Sequence, residues 1–474
     1  MPKTLRNRII INTLSQTVGQ GMLYLLGMLA FVLTMRYLGP EGFGKYSLVL
    51  VYVGIMGSVV EFGGQIVLIR EISQRPEQIR KILGNFLILK AALATVVCSL
   101  GAVAIRWLGY PKDVQFYVLL GLMAILFSVP SAVAVLFQAR LQMWYVSGVH
   151  IVAKLIAVAA VGYMLWSRGG IAVLMWGNVI VAAVASSLFC WLIWNRERPD
   201  FQLDINLIKD LVRETAPIGL LLILGGLVLK VDTMLLSKLA DDRAVGLYNA
   251  AYKFVDWGIM LAGGLLISHL PLFSQFVISD SEKVKHLYQR TFDILGLLLI
   301  PLAVFGAVTS RQIILLFSGP AYVESAFALA VLLWVILLNT WNTLAVNVLI
   351  ALKEQGRLLS IYGSAVAVNL TINYFGIPRF GFKVCATASV LSELLAMVPL
   401  LYFLKKRIGI TPNWEKAGRS LAATVCAASP LLLQQNLILL WKAAIFVPLW
   451  LIFCFGFKAI SFTEIRDLSY RRKG

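Results

Sequence analysis

Apolar residues run along this chain in long unbroken stretches, separated by short clusters of charged residues, glycine and proline. The stretches do not alternate polar with apolar positions, as a strand with one wet face does. They reach the roughly twenty residues that a helix needs to cross the hydrocarbon of a bilayer. The pattern predicts fourteen such helices, over residues 9–35, 44–69, 82–105, 114–137, 147–166, 171–194, 215–237, 246–276, 292–309, 326–350, 358–376, 382–404, 419–435 and 441–458. Lipid offers the backbone no hydrogen-bond partners, so spanning segments are helices or closed barrels, and continuous apolar sequence selects helices. The first stretch runs too far for a signal-peptide core and has no small-residue cleavage site, so it is expected to stay as the first span.

Composition strengthens this picture. The chain has 474 residues, 59% of them hydrophobic and 14% charged, with a mean hydropathy of +0.83. Soluble domains carry about 25% charged residues. The net charge of +19 would suggest nucleic acid in a soluble protein. Here its distribution gives a better account. Even-numbered spans put both termini on one side, and that side collects 27 of the 42 Lys and Arg residues against 11 on the other. The excess of basic residues marks the cytoplasmic face. Both termini are therefore expected in the cytoplasm of a multi-pass protein of a bacterial-type cytoplasmic membrane, with the surplus charge drawn to anionic headgroups. Nucleic acid is not expected as a partner.

The longest loop, about 195–214, carries Ile205, Ile208, Leu211 and Val212 at helical spacing among charged residues. It predicts a short amphipathic helix on the inner membrane surface. It would divide the chain into an N-terminal lobe (1–195, spans 1–6), a cytoplasmic amphipathic linker (196–214) and a C-terminal lobe (215–404, spans 7–12). Residues 405–474 would add spans 13 and 14 and a basic cytoplasmic tail. A weak repeat supports the division: Gly44 and Tyr46 recur as Gly246 and Tyr248, each pair where an outer turn enters the next helix. Duplicated bundles are common in transporters.

Several motifs carry no chemistry. Gly39 to Lys45 reads Gly-x4-Gly-Lys, but Tyr46 stands where a phosphate loop needs Ser or Thr and no strand precedes it, so an interhelical turn is expected. His150, His269 and His286 show no metal-ligand spacing. Cys98, Cys190, Cys385, Cys426 and Cys454 stand singly inside apolar runs and read as small buried hydrophobes. Neither metal nor cofactor is expected, and no loop is large enough to hold an enzyme's catalytic groups.

What remains is charge inside the spans. Lys90 lies near the inner start of span 3 at the depth of Glu61 near the inner end of span 2, so the hairpin can pair them. Lys154 sits at similar depth on span 5. Lys230 and Asp232 lie near the outer end of span 7, and Lys253 and Asp256, three apart, share a face of span 8. Glu393 sits near the middle of span 12 without an obvious partner, and Asn339, Asn342, Asn347, Asn369 and Asn373 add polar points on spans 10 and 11. Lysines in lipid cost free energy even when they snorkel, and four of them point to a hydrated cationic cavity that binds an anion.

These residues resemble a known family. Arg36 to Ser47, Lys230 to Ser237 and Val245 to Lys253 look like the corresponding segments of Wzx-type polysaccharide-unit flippases, in the superfamily that also holds MATE drug exporters and lipid II flippases. The resemblance implies an all-α, MATE-like protein of about fourteen spans in two pseudo-symmetric lobes around a central cavity. It implies a substrate, an undecaprenyl-pyrophosphate-linked oligosaccharide, moved from the cytoplasmic to the outer leaflet for polysaccharide biosynthesis (O-antigen or exopolysaccharide). Lys230, Lys253, Lys90 and Lys154 would meet the diphosphate. Asp232, Asp256 and Glu61 would pair with lysines or take a coupling proton or sodium ion. Partners would be the lipid-linked anionic glycan, membrane lipids, a polysaccharide polymerase and other assembly proteins. A cation-coupled multidrug exporter of the same fold is the alternative.

Overall fold

The computed structural model describes residues 3–140, 142–194, 197–266, 269–433, 438–457 and 459, and the described residues are helical with short connections and no strand. The basic C-terminal tail expected after residue 459 lies outside the described residues. The chain forms two compact units, Met1–Lys230 and Val231–Gly474.

The first unit holds α1 (Lys3–Glu61), α2 (Gly64–Gln74), α3 (Ile79–Trp107), α4 (Lys112–Ser128), α5 (Ala134–Ala139), α6 (Met143–Ser167), α7 (Ile171–Trp194) and most of α8 (Ile205–Leu239). At 1.5 Å per residue the 59 residues of α1 would extend roughly 90 Å, about three times the hydrocarbon thickness. The helix breaks at Gly39, whose φ of 65° and ψ of 177° suit a residue without Cβ, and Pro40 opens the next piece. This is the turn expected between spans 1 and 2. Lys45 of the phosphate-loop-like stretch meets Asp113 at the start of α4 at 3.0 Å.

The second unit holds α9 (Asp242–Leu266), α10 (His269–Ser279), α11 (Ser281–Phe317), α12 (Ser325–Ala351), α13 (Gln355–Phe380), α14 (Phe382–Ile408), α15 (Trp414–Leu433) and α16 (Leu439–Gly456). Apolar on nearly all sides, α12 is buried, packing against α9, α11 and α14. Outer helices show the reverse. Leu100, Val103 and Trp107 on α3 are 64%, 64% and 87% exposed, an apolar face of the kind lipid covers. Exposed tryptophans gather at helix ends (Trp107, Trp144, Trp166, Trp194, Trp441), where an interfacial belt belongs.

Among the described residues, ten helices are long and apolar enough to cross a membrane, or twelve if two bent pairs each count as one span. Fourteen remains compatible with this. One of the ten, Gly21–Gln74, contains the turn at Gly39 and so two predicted spans, and the 20-residue α15 is not among the twelve.

The loop before span 7 differs from expectation. Residues 205–214 are not a separate surface helix but the first turns of α8, which continues through Pro217 into the apolar stretch. The buried positions are Leu207, Leu211 and Thr215, spaced by four, while Ile205 and Val212 are exposed. The charged residues lower hydropathy without stopping the helix. The compact units divide inside α8, between Lys230 and Val231.

Candidate functional site

In the first unit, α1 ends at Glu61 and α3 carries Lys90 beside it. The ammonium donates to Glu61 Oε2 at 2.5 Å. The environments of the two are unequal: the Lys90 side chain is 9% exposed and that of Glu61 43%. The carboxylate therefore faces the wetter side and covers a lysine that would otherwise be buried alone. Lys154 on α6 lies against α1 at Gly27; a Cβ there would stand 3.1 Å from its Cε and Nζ, so the missing side chain makes its room.

In the second unit, the end of α8 carries Asp232, which is fully buried. Its partners are not lysines. Tyr248 of α9 and Ser389 of α14 donate their hydroxyls to Oδ2, and Asn373 of α13 donates its amide to Oδ1, each at 2.7 Å. Asn373 also donates to Asn369 Oδ1 at 2.9 Å. A buried carboxylate is tolerated only when its oxygens are satisfied, and here neutral donors from three helices do this. Asn373 Oδ1 is itself buried and receives no hydrogen bond. Lys230 is half-buried two residues earlier. Lys253 and Asp256 form a loose pair at 3.6 Å, with side chains 38% and 32% exposed.

The expectation of Glu393 without a partner is revised. Asn339 donates to Glu393 Oε1 at 2.9 Å, and Asn342 donates to Oε2 at 2.7 Å and to the Glu393 carbonyl at 2.9 Å. Three spacings carried the signal: Asn339/Asn342, Asn369/Asn373 and Ser389/Glu393 each share a helix face. Sequence reasoning marked four of the asparagines as polar points but did not identify Ser389 and Tyr248 as partners of Asp232.

A further polar assembly at the start of α8 was not foreseen. The chain from 197 to 204 runs along the first turns of α3. Asn85, fully buried, donates to the Gln202 carbonyl at 3.0 Å and accepts from the Asp204 amide at 2.8 Å. Gly84 permits the approach, since a Cβ there would lie 1.7 Å from the Asp200 carbonyl oxygen. Arg140 meets Glu197 at 2.6 Å, and Lys81 meets Asp204 at 2.7 Å. The hydrogen bond from Arg140, helped by Arg80, holds the Glu197 carboxyl below its usual range, and Lys81 does the same for Asp204. A cleft of about 410 Å³ beside α2 is lined by Glu71, Arg75, Asp210, Arg213 and Glu214. Three carboxylates against two arginines do not suit it to a diphosphate.

Comparison with known proteins places these polar groups in context. The family described as polysaccharide biosynthesis protein matches residues 9–277, more than half of the sequence. The chain belongs to this family. A second family, MatE, matches residues 217–375. A curated relative, the "Probable flippase AglR" of Haloferax volcanii, is 27% identical over 192 residues, 40% of this chain and 40% of that protein. The match therefore spans less than half of the relative's length. Among solved structures, "Lipid II flippase MurJ, inward closed conformation" matches with a TM-score of 0.77, covering 95% of this chain and 99% of that one at 13% identity. An inward-facing multidrug resistance MATE family transporter matches with a TM-score of 0.70, covering 81% and 94% at 14% identity. The fold is the one these two solved structures share, as the resemblance in the sequence implied.

Proposed function

We propose that the protein moves an undecaprenyl-pyrophosphate-linked oligosaccharide from the cytoplasmic to the outer leaflet of a bacterial-type cytoplasmic membrane, by alternating access. The observation that carries this reading is the match to the polysaccharide biosynthesis protein family over residues 9–277. The similarity to a probable flippase supports it. So does the retention of Lys90, Lys154, Lys230 and Lys253 inside otherwise apolar helices. Ammonium groups in a low-dielectric setting attract a diphosphate strongly and without strict direction, which suits a ligand that must be released on the other side.

In this reading Lys90 and Lys154 serve the cytoplasmic approach, while Lys230 and Lys253 serve the outer end, with both termini inside. Asp232 takes the coupling cation, a proton or sodium ion. Its oxygens accept from the Asn373 amide and the Tyr248 and Ser389 hydroxyls, neutral groups that can turn away when a proton or hard cation arrives, and Asn373 Oδ1 lacks a donor. Glu61 and Asp256 hold lysines in place. A polysaccharide polymerase and other assembly proteins would consume the product.

Depletion of the protein in its host tests this. Lipid-linked oligosaccharide should accumulate on the cytoplasmic leaflet and surface polysaccharide should fall; unchanged polysaccharide would sink the proposal. The MatE match over residues 217–375 favours one second reading, a cation-coupled exporter of drugs. Hypersensitivity to cationic dyes with normal surface polysaccharide would select it.

A further inference from the structure

Lys442 stands apart from every charge considered so far. It lies four residues into α16, whose neighbouring positions Leu440 and Trp441 are 80% and 63% exposed. Lys442 faces the other way and is only 4% exposed. Its ammonium makes no hydrogen bond or ion pair among the described residues. Exposed membrane lysines escape this situation by reaching water along the helix. Lys442 buries its stem and leaves only the tip accessible, with no protein partner for the ammonium among the described residues.

Packing fixes what surrounds it. Phe446, one turn on, meets Phe305 of α11 with ring centroids 4.8 Å apart. Farther along, Cys454 lies in a cluster with Ala423 of α15 against which Leu297 of α11 packs. The helices α11 and α16 therefore run antiparallel, and Lys442 falls level with Thr309, one turn beyond Phe305 and 1% exposed. Among the described residues, α11, α15 and α16 place no acid at that level. The carboxylates of α11 and α15 are Glu282, Asp293 and Glu415, all toward the opposite ends, and α16 has none. Arg311, close by on α11, adds a second positive charge at this end.

The start of α16 contributes further donors. The amide of Lys442 bonds to the Ile438 carbonyl at 3.1 Å and opens the helical ladder, so the amides of Leu439, Leu440 and Trp441 have no intrahelical acceptor. The N-cap residue, Ile438, offers no side-chain cap. Helical side chains lean toward the N-terminus, which carries the Lys442 ammonium to the same place. Free amides at a helix start, the positive end of the helix dipole and a nearly buried lysine whose ammonium has no partner all ask for one anion.

We propose that the start of α16 binds a phosphate group, with the Lys442 ammonium as its counter-charge. The charge count puts this end of the α15–α16 pair outside, at headgroup depth, so the favoured source is the phosphate of an outer-leaflet lipid. The site is separate from the four lysines proposed to meet the transported diphosphate, and the inference does not rest on the flippase reading.

Native mass spectrometry of the purified full chain tests it, with titration of phosphatidylglycerol, of diacylglycerol, which lacks the phosphate, and of inorganic phosphate. Wild type should hold one more phosphatidylglycerol than Lys442→Met, with about tenfold higher affinity for that molecule. Lys442→Arg should restore most of it, and diacylglycerol should not distinguish the proteins. If inorganic phosphate competes with the lipid only when Lys442 is present, the phosphate group itself is recognised. If inorganic phosphate binds and the lipid does not, the site stands and its source is free phosphate. Should Lys442→Met fail to fold, Lys442→Gln carries the same comparison. Equal phosphatidylglycerol and phosphate binding by wild type and the neutral variant would overturn the proposal.

Discussion

Glu61 and Lys90 form a pair whose halves are not equivalent, and the asymmetry gives a sharp prediction. The side chain of Lys90 is 9% exposed and that of Glu61 43%, with 2.5 Å between the charged atoms. Breaking a fully buried pair by removing one partner costs about 3–5 kcal/mol, whereas exposed pairs contribute about 0–1 kcal/mol. This pair lies between those limits. Glu61→Gln leaves an ammonium that water barely reaches, and the expected loss is about 2 kcal/mol, roughly a 30-fold change in the folded-to-unfolded ratio. Lys90→Met leaves a carboxylate that water can cover and adds apolar surface where the ammonium was, so the expected loss is below about 1 kcal/mol. In the double variant the orphaned charge disappears, and stability should recover to within about 1 kcal/mol of wild type. Denaturant unfolding of the detergent-purified protein, read by tryptophan fluorescence, measures all three. Equal losses in the two single variants, or a double variant showing their sum, would refute the reasoning. Transport should follow the opposite order if Lys90 meets the diphosphate: Lys90→Met loses transport although it is the more stable of the two.

Other outcomes follow from the same structure. Asn85→Ala should destabilise the first unit by about 2–3 kcal/mol, since it orphans the Gln202 carbonyl and the Asp204 amide together, and hydrogen exchange at 200–206 should rise before global unfolding. Gly84→Ala places a Cβ 1.7 Å from the Asp200 carbonyl oxygen, so the segment must move; faster proteolysis between 197 and 204 is expected, and an unchanged cleavage pattern would contradict the packing. The depressed carboxyls of Glu197 and Asp204 stabilise this segment above the ordinary carboxylate range, and the contribution is lost as pH falls through about 4 and below. The segment should therefore loosen on acidification and not between neutral and mildly alkaline pH, as hydrogen exchange would show. Asp232→Asn should abolish dependence of transport on an imposed cation gradient while the protein still folds, because the amide oxygen can still accept from the Tyr248 and Ser389 hydroxyls and only the Asn373 contact must rearrange; gradient dependence equal to wild type would move the coupling site elsewhere.

The parts of this site legible in the sequence were those set by local geometry. The Glu61–Lys90 pair followed from folding one hairpin so that equal depths meet, and Lys253–Asp256 from a three-residue helical spacing. Asp232 was found as a charge, but its partners were not, because they lie 16, 141 and 157 residues away on three different helices. No local pattern encodes which faces of α9, α13 and α14 turn toward α8. The start of α8 misled for a different reason. Lys209, Asp210, Arg213 and Glu214 lower hydropathy as a loop does, yet each is compatible with a helix, and the buried stripe of Leu207, Leu211 and Thr215 carries the helix on. Gly84 was silent in the sequence, since a glycine within an apolar run does not say what approaches it. Lys442 stands at the edge of an apolar run, where a lysine ordinarily reaches water, and only packing shows how little of it is exposed.

The central claim is that the protein translocates a lipid-linked glycan, and reconstitution measures it most directly. Purified protein in sealed vesicles, given fluorescent undecaprenyl-pyrophosphate-linked oligosaccharide in one leaflet, should expose that lipid to a membrane-impermeant glycosidase added to the other side. The rate should exceed that of protein-free vesicles, respond to an imposed ion gradient, and fall when Lys230 or Lys253 is replaced by Gln. Exposure no faster than in empty vesicles, with or without a gradient, would contradict the account.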